Sequence, residues 1–208
     1  MQVEARWVAA QVGERKFHCD DIEGWGANTS AAARRIQEAK MRAWYAGMLG
    51  IPLSLDPFDS VTDFACGPES LLLTYPQRGR MVAVDPLEFL PEDEARYARD
   101  GIERMVLPME LYTGEATTEV WLYNCLQHVM NWDAALRIAC RTALERVRLF
   151  EWVGVPTDSL HLHTLEEGAM RNVMVSEGFR ELSMVRGERG LFPYVPTAFY
   201  SGIWERVT

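Results

Sequence analysis

Two carboxylates lie where a buried strand would end and a tight turn begin. Asp63-Phe64-Ala65-Cys66-Gly67-Pro68-Glu69 runs from an acid through small residues at alternate positions to a proline, and Met81-Val82-Ala83-Val84-Asp85-Pro86 closes on a second acid. Small residues let a backbone approach a ligand closely, and an acid at the next strand tip can accept both hydroxyls of a ribose. The pair therefore has the makings of a nucleoside grip, with a charge-assisted hydrogen bond contributing roughly 1.5–3 kcal/mol. A second group follows the later strands: Gln127 and His128, then Glu151 and Trp152, then His161-Leu162-His163. These residues, with Tyr45 from an N-terminal helix, could shape a substrate pocket in which Trp152 is a wall and the polar groups orient the bound molecule. His128, Glu151, His161 and His163 would also suffice as metal ligands, but a His-x-His pair in a loop is a loose pattern, and no metal is expected.

The elements that must position these residues alternate in type. Residues 4–17 read as a helix with Trp7, Ala10 and Phe17 on neighbouring positions, and 18–30 as a loop rich in Asp, Gly and Asn. A helix over 31–48 has one apolar stripe of Ile36, Ala39, Ala43 and Ala46 and a second of Met41, Trp44 and Met48, so it is buried on two sides. Gly50-Ile51-Pro52 ends it. Strands are expected at 61–65, 81–85, 105–107, 120–124 and 147–152, and helices from Pro68, over 91–100 and over 132–145. Strands alternating with helices imply crossover connections and a parallel sheet. Thr164-Leu165-Glu166-Glu167 reads as a capping box opening a helix that runs to Gly178. Strands over 179–185 and 197–206, joined by a Gly/Pro loop at 186–196, would then pair antiparallel.

The totals narrow the function class. The 208 residues make one domain by length, with 48% hydrophobic and 25% charged residues, both ordinary globular values. The net charge of −9, with Arg34-Arg35 as the longest basic grouping, argues against a nucleic-acid partner. Cys19, Cys66, Cys125 and Cys140 show no metal-like pairing. The opening residues carry charges throughout, unlike a signal peptide, and no apolar run approaches the ~20 residues needed to span a bilayer. A cytoplasmic protein is expected.

Asp63-Phe64-Ala65-Cys66-Gly67-Pro68-Glu69 and Val82-Ala83-Val84-Asp85-Pro86 resemble the first and second motifs of the class I S-adenosylmethionine-dependent methyltransferases. Val120-Trp121-Leu122-Tyr123-Asn124-Cys125-Leu126-Gln127-His128-Val129 is similar to the segment after that family's fourth strand. The resemblance covers about residues 58–185, with Ala65 where a glycine is usual and Glu69 where a third small residue is usual. It implies an α/β fold: a Rossmann-like, mostly parallel sheet with an antiparallel C-terminal hairpin, helices on both faces and an N-terminal helical cap. Residues 1–57 would be the cap and 58–208 the cofactor-binding domain.

It also implies S-adenosylmethionine as cofactor and a role for each matched position. Ala65 and Gly67 would give close backbone approach, and the helix from Pro68 would aim N–H groups at the cofactor's carboxylate. Asp63 would sit near the cationic methionine part, Asp85 with Pro86 at the ribose, Met109 on the adenine face, Glu110 near its amino group and Asn124 at the sulfonium end. His128 is the candidate base for methyl transfer to an oxygen or nitrogen of a small molecule, since histidine titrates near neutral pH. A homodimer is compatible with this reading. Two rivals stay open: a binding module that has lost turnover, and a nicotinamide-dependent oxidoreductase on the same sheet, which needs a glycine where Glu69 stands.

Overall fold

The computed structural model of the chain describes residues 2–16, 31–52, 59–75, 79–192 and 195–207. Phe17, Cys19 and the expected loop at 18–30 lie outside them. Helices α1 (Gln2–Arg15) and α2 (Ala31–Met48) precede the sheet. Its strands are β1 (Val61–Phe64), β2 (Met81–Asp85), β3 (Glu103–Val106), β4 (Thr117–Tyr123), β5 (Ala143–Trp152), β6 (Phe179–Phe192) and β7 (Val195–Arg206). Helices α3 (Pro91–Arg99), α4 (Trp132–Thr142) and α5 (Glu167–Ser176) lie between them.

The seven strands lie in the order β3-β2-β1-β4-β5-β7-β6. The first five pair in parallel, and β7 runs antiparallel to both β5 and β6. The expected parallel sheet with a terminal hairpin is therefore present. Strands covered on both faces read as near-continuous apolar runs, and their side chains alternate between two cores. Val82, Val84, Val120, Leu122, Val147 and Leu149 face α4 and α5, where Ala135, Leu136, Ala139, Met170 and Met174 cover them. Met81, Ala83, Trp121, Tyr123, Phe150 and Trp152 face the other way, toward Leu71, Tyr97 and the end of α2.

Local expectations differ from the structure at four places. The connection after β1 holds no α-helix among its described residues, only a 3-10 turn at Leu71–Thr74 capped by the Ser70 hydroxyl. The reason is tertiary: the first amides of that turn are already satisfied, with Ser70 N–H donating to the Tyr97 hydroxyl and Leu71 N–H to the Tyr123 hydroxyl, each at 3.1 Å. The expected capping box is absent. α5 starts after Glu166 with no side-chain cap, because 161–166 is drawn out to bury Leu162 and Leu165 and Thr164 is left exposed. α4 stops at Thr142, where Ala143 takes up pairing with Thr117. The Gly/Pro stretch at 186–196 is not a loop; β6 and β7 run through most of it. Gly187 makes room there for the Phe199 ring, which a Cβ would meet at 2.7 Å.

Candidate functional site

The carboxyl ends of β1, β2 and β4 open onto one cavity of about 370 Å³. At the tip of β1 the chain turns sharply, with φ of +49° at Ala65 and +61° at Gly67. Gly67 suits this left-handed position, and Ala65 pays a steric cost there. A Cβ on Gly67 would meet nothing within 4 Å, so the turn leaves open space beside its backbone. Asp85 is held against this turn. Its Oδ2 accepts from Gly67 N–H and its Oδ1 from Leu87 N–H, both at 2.9 Å. Arg104 fixes the loop beyond β2 by donating to the carbonyls of Asp85 at 3.1 Å and Leu87 at 2.6 Å.

Ala65, Gly67, Asp85, Pro86, Met109, Glu110, Asn124 and His128 all line the cavity from the sheet side. Glu110 is anchored there, its Oε1 accepting from Asn131 N–H at 3.0 Å just before α4. Asn124 sits at φ +53°, a left-handed conformation that asparagine tolerates better than most residues. Tyr45 and His161 line the cavity from the other side. Ten of the fourteen expected site residues thus line one cavity.

The other four lie elsewhere. Asp63 is fully buried beneath the turn, its Oδ2 accepting from the Ser70 hydroxyl at 2.5 Å and the Tyr123 hydroxyl at 2.7 Å. Burial pushes its carboxyl up to about 7, although both hydroxyls oppose the shift. Gln127 is buried and donates to Asn124 Oδ1 at 3.1 Å. Trp152 is buried in an aromatic cluster, stacked 6.0 Å from Trp44. His163 turns its Nε2 to the Val129 carbonyl at 2.9 Å. Glu69 pairs with Arg42 of α2 and Arg96 of α3 instead of entering the cavity.

Residues the sequence reading missed complete the enclosure. Trp7, Gln11 and Glu14 of α1 line the cavity together with Met41 and Leu160. Their i, i+4, i+7 spacing on one helix face was the available signal. Glu14 Oε1 lies 2.9 Å from His128 Nδ1. Burial alone would lower the His128 pKa, but the Glu14 hydrogen bond and charge outweigh it, and the ring titrates above its ordinary value. The other ring nitrogen, Nε2, lies 3.4 Å from the Gln127 amide nitrogen, a donor, so in the tautomer with the proton on Nδ1 it is Nε2 that carries the lone pair. Glu151, fully buried at the end of β5, holds the segment that carries His128, since its Oε1 accepts from the amides of Cys125 and Leu126 at 3.0 Å. Burial raises this carboxyl too, to about 7. Among the described residues no three His, Cys, Asp or Glu side chains converge as metal ligands.

No family model matches the chain, and no curated protein matches it. Solved structures do. The 1,6-didemethyltoxoflavin-N1-methyltransferase of Burkholderia thailandensis, with bound 1,6-didemethyltoxoflavin and S-adenosylhomocysteine, aligns over 99% of this chain and 89% of its own, at 17% identity and a TM-score of 0.64. Magnesium protoporphyrin IX methyltransferase from Synechocystis PCC 6803, with bound S-adenosylmethionine, aligns over 96% and 97%, at 14% identity and a TM-score of 0.60. The chain has the class I S-adenosylmethionine-dependent methyltransferase fold. The [4+2]-cyclase SpnF shares it as well, over 99% of this chain and 94% of its own, at 12% identity and a TM-score of 0.62. A fold that hosts more than one reaction leaves the chemistry to the site residues.

Proposed function

We propose that the protein is an S-adenosylmethionine-dependent methyltransferase acting on an oxygen or nitrogen of a small molecule. The observation that carries this reading is the meeting of Gly67, Asp85, Met109, Glu110 and Asn124, from successive strand ends, with His128 in one cavity. The open space beside the Gly67 backbone suits a ligand pressed close to the turn. Asp85, already oriented by two backbone amides, would accept the ribose hydroxyls. Met109 would cover the adenine, Glu110 would face its amino group, and Asn124 would stand at the methionine end. Asp63 would act from below, by holding the turn through the Ser70 and Tyr123 hydroxyls. The cofactor supplies an electrophilic methyl carbon when bound.

His128 then has a defined task. Its Nε2 takes the proton of the attacking oxygen or nitrogen, and Glu14 steadies the imidazolium that forms. Positioned bases of this kind contribute about 10²–10⁴-fold. Helices α1 and α2 serve as the cap, since they supply Trp7, Gln11, Glu14, Met41 and Tyr45 to the cavity. A cytoplasmic setting suits Cys66, Cys125 and Cys140, all buried thiols. The dinucleotide rival loses support, because a pyrophosphate needs the free amides of a helix N-terminus and those of Ser70 and Leu71 are taken by the Tyr97 and Tyr123 hydroxyls. Release of S-adenosylhomocysteine with a panel of phenols, enols and heteroaromatic amines tests the reading. Turnover with at least one acceptor, lost in His128→Gln, is expected; cofactor binding with no turnover on any of them would favour the non-catalytic module.

A further inference from the structure

The cavity holds a second imidazole that base catalysis leaves unused. His161 lies beside His128 with ring centroids 4.9 Å apart and planes inclined by 49°. A carboxylate stands at Nδ1 of each ring: Asp158 Oδ2 is hydrogen-bonded to His161 Nδ1 at 2.8 Å, and Glu14 Oε1 lies within ion-pair distance of His128 Nδ1, at 2.9 Å. Asp158 is itself locked, because its Oδ1 accepts from the amides of Leu160 and His161 at 2.7 Å. Carboxylates from two separate segments thus flank two adjacent rings; a ring with its proton on Nδ1 has Nε2 as its acceptor, and the one contact at His128 Nε2 is the Gln127 amide nitrogen at 3.4 Å. The rest of the lining carries a second message. No Lys or Arg lines the cavity among the described residues, whereas Glu14, Asp85 and Glu110 do, and Trp7, Met41, Tyr45 and Leu160 supply flat or apolar walls. Among the described residues, an acceptor therefore meets acidic groups and no lysine or arginine.

Resting on the methyltransferase reading, we propose that the acceptor is an uncharged, planar aromatic compound bearing two adjacent O–H or N–H groups, one for each imidazole. The group facing His128 is methylated: its oxygen gives up its proton to Nε2 and bonds to the donated methyl carbon. The carbon–sulfur bond of the sulfonium breaks and its electron pair stays on sulfur, leaving a neutral thioether and an imidazolium beside Glu14. The neighbouring group donates to His161 Nε2 and keeps its proton. His161 is a positioning residue in this scheme, and it sets which of the two groups reacts.

Catechol, resorcinol and phenol are the probes, with S-adenosylmethionine as donor and kcat/KM as the readout. Wild type is expected to favour catechol over the other two by about 10-fold or more, the discrimination typical of one lost hydrogen bond in a built site. His161→Phe should abolish that preference while leaving S-adenosylhomocysteine binding intact. Asp158→Asn, which keeps the Oδ1 turn but cannot accept from Nδ1–H, should reduce it in the same direction. Equal rates for the three compounds, no reaction with any, or a catechol preference that survives His161→Phe would overturn the proposal. Calorimetry with S-adenosylhomocysteine separates the two levels: if it does not bind, the methyltransferase reading itself has failed.

Discussion

Two carboxyls at the strand tips, Asp63 and Glu151, are fully buried and titrate near neutrality, and this makes the fold's stability depend on pH in an unusual sense. Burial raises Asp63 from 3.8 to about 7 and Glu151 from 4.5 to about 7. In the unfolded chain both lose their protons first, so between the unfolded and folded pKa values the native state binds more protons. Stability therefore falls as pH rises through that window. Between about pH 5.5 and about pH 8 each group works out at ~2 kcal/mol, and the pair at ~4 kcal/mol, less whatever local relaxation returns. His128 adds to the trend, since its raised pKa gives stability that is present below 6.5 and lost as pH climbs through the folded value. Asp158, lowered to about 2, changes only at more acidic pH and leaves the window untouched. Urea unfolding at constant ionic strength across this range reads the slope directly. Asp63→Asn keeps an oxygen to accept from Ser70 and Tyr123 and should remove about half of the dependence. Stability that is level, or that rises from acid to alkaline pH, would refute the assignment of protonated acids beneath the site.

The remaining predictions concern the supports and the chemistry. Arg148 donates to Glu119 at 2.6 and 3.0 Å and to the Leu49 and Gly50 carbonyls at 3.1 and 2.7 Å, tying the end of α2 to the sheet. Arg148→Met should cost about 3–5 kcal/mol and lower Tm by roughly 10 °C in thermal denaturation; a loss below about 1 kcal/mol contradicts that role. Gly67→Ala forces a side chain into the left-handed region at φ +61°. It should cost about 1 kcal/mol of stability and weaken S-adenosylhomocysteine binding in calorimetry, and an unchanged affinity would mean the turn is not against the ligand. Because His128 acts as a base, activity should fall as pH drops through a pKa above 6.5. Glu14→Gln should move that acid limb of the kcat/KM profile to lower pH, and an unmoved limb removes Glu14 from the mechanism.

Sequence legibility followed how local each signal was. β1, β2 and β4 stand out as short apolar runs because both faces of each strand are covered, so the strand tips and the acids on them could be placed by counting. The connection after Pro68 could not be read in the same way. A proline at a helix start is a local cue, but hydroxyls from Tyr97 and Tyr123, far along the chain, take the amides a helix would present. The same non-local bonding draws Asp63 downward, since a strand-tip acid looks identical in sequence whether it faces the ligand or a buried hydroxyl. Thr164 and Glu167 had the right spacing for a capping box, yet burying Leu162 and Leu165 outweighed a surface cap. Glu14 escaped notice because its partner is 114 positions away, beyond any periodicity.

Isothermal titration of wild type and Asp85→Ala with S-adenosylhomocysteine tests the central claim most directly. Wild type should show saturable one-to-one binding and the variant at least about 10-fold weaker binding, in line with losing a charge-assisted hydrogen bond. No binding by wild type, or equal affinity in the two proteins, would contradict it.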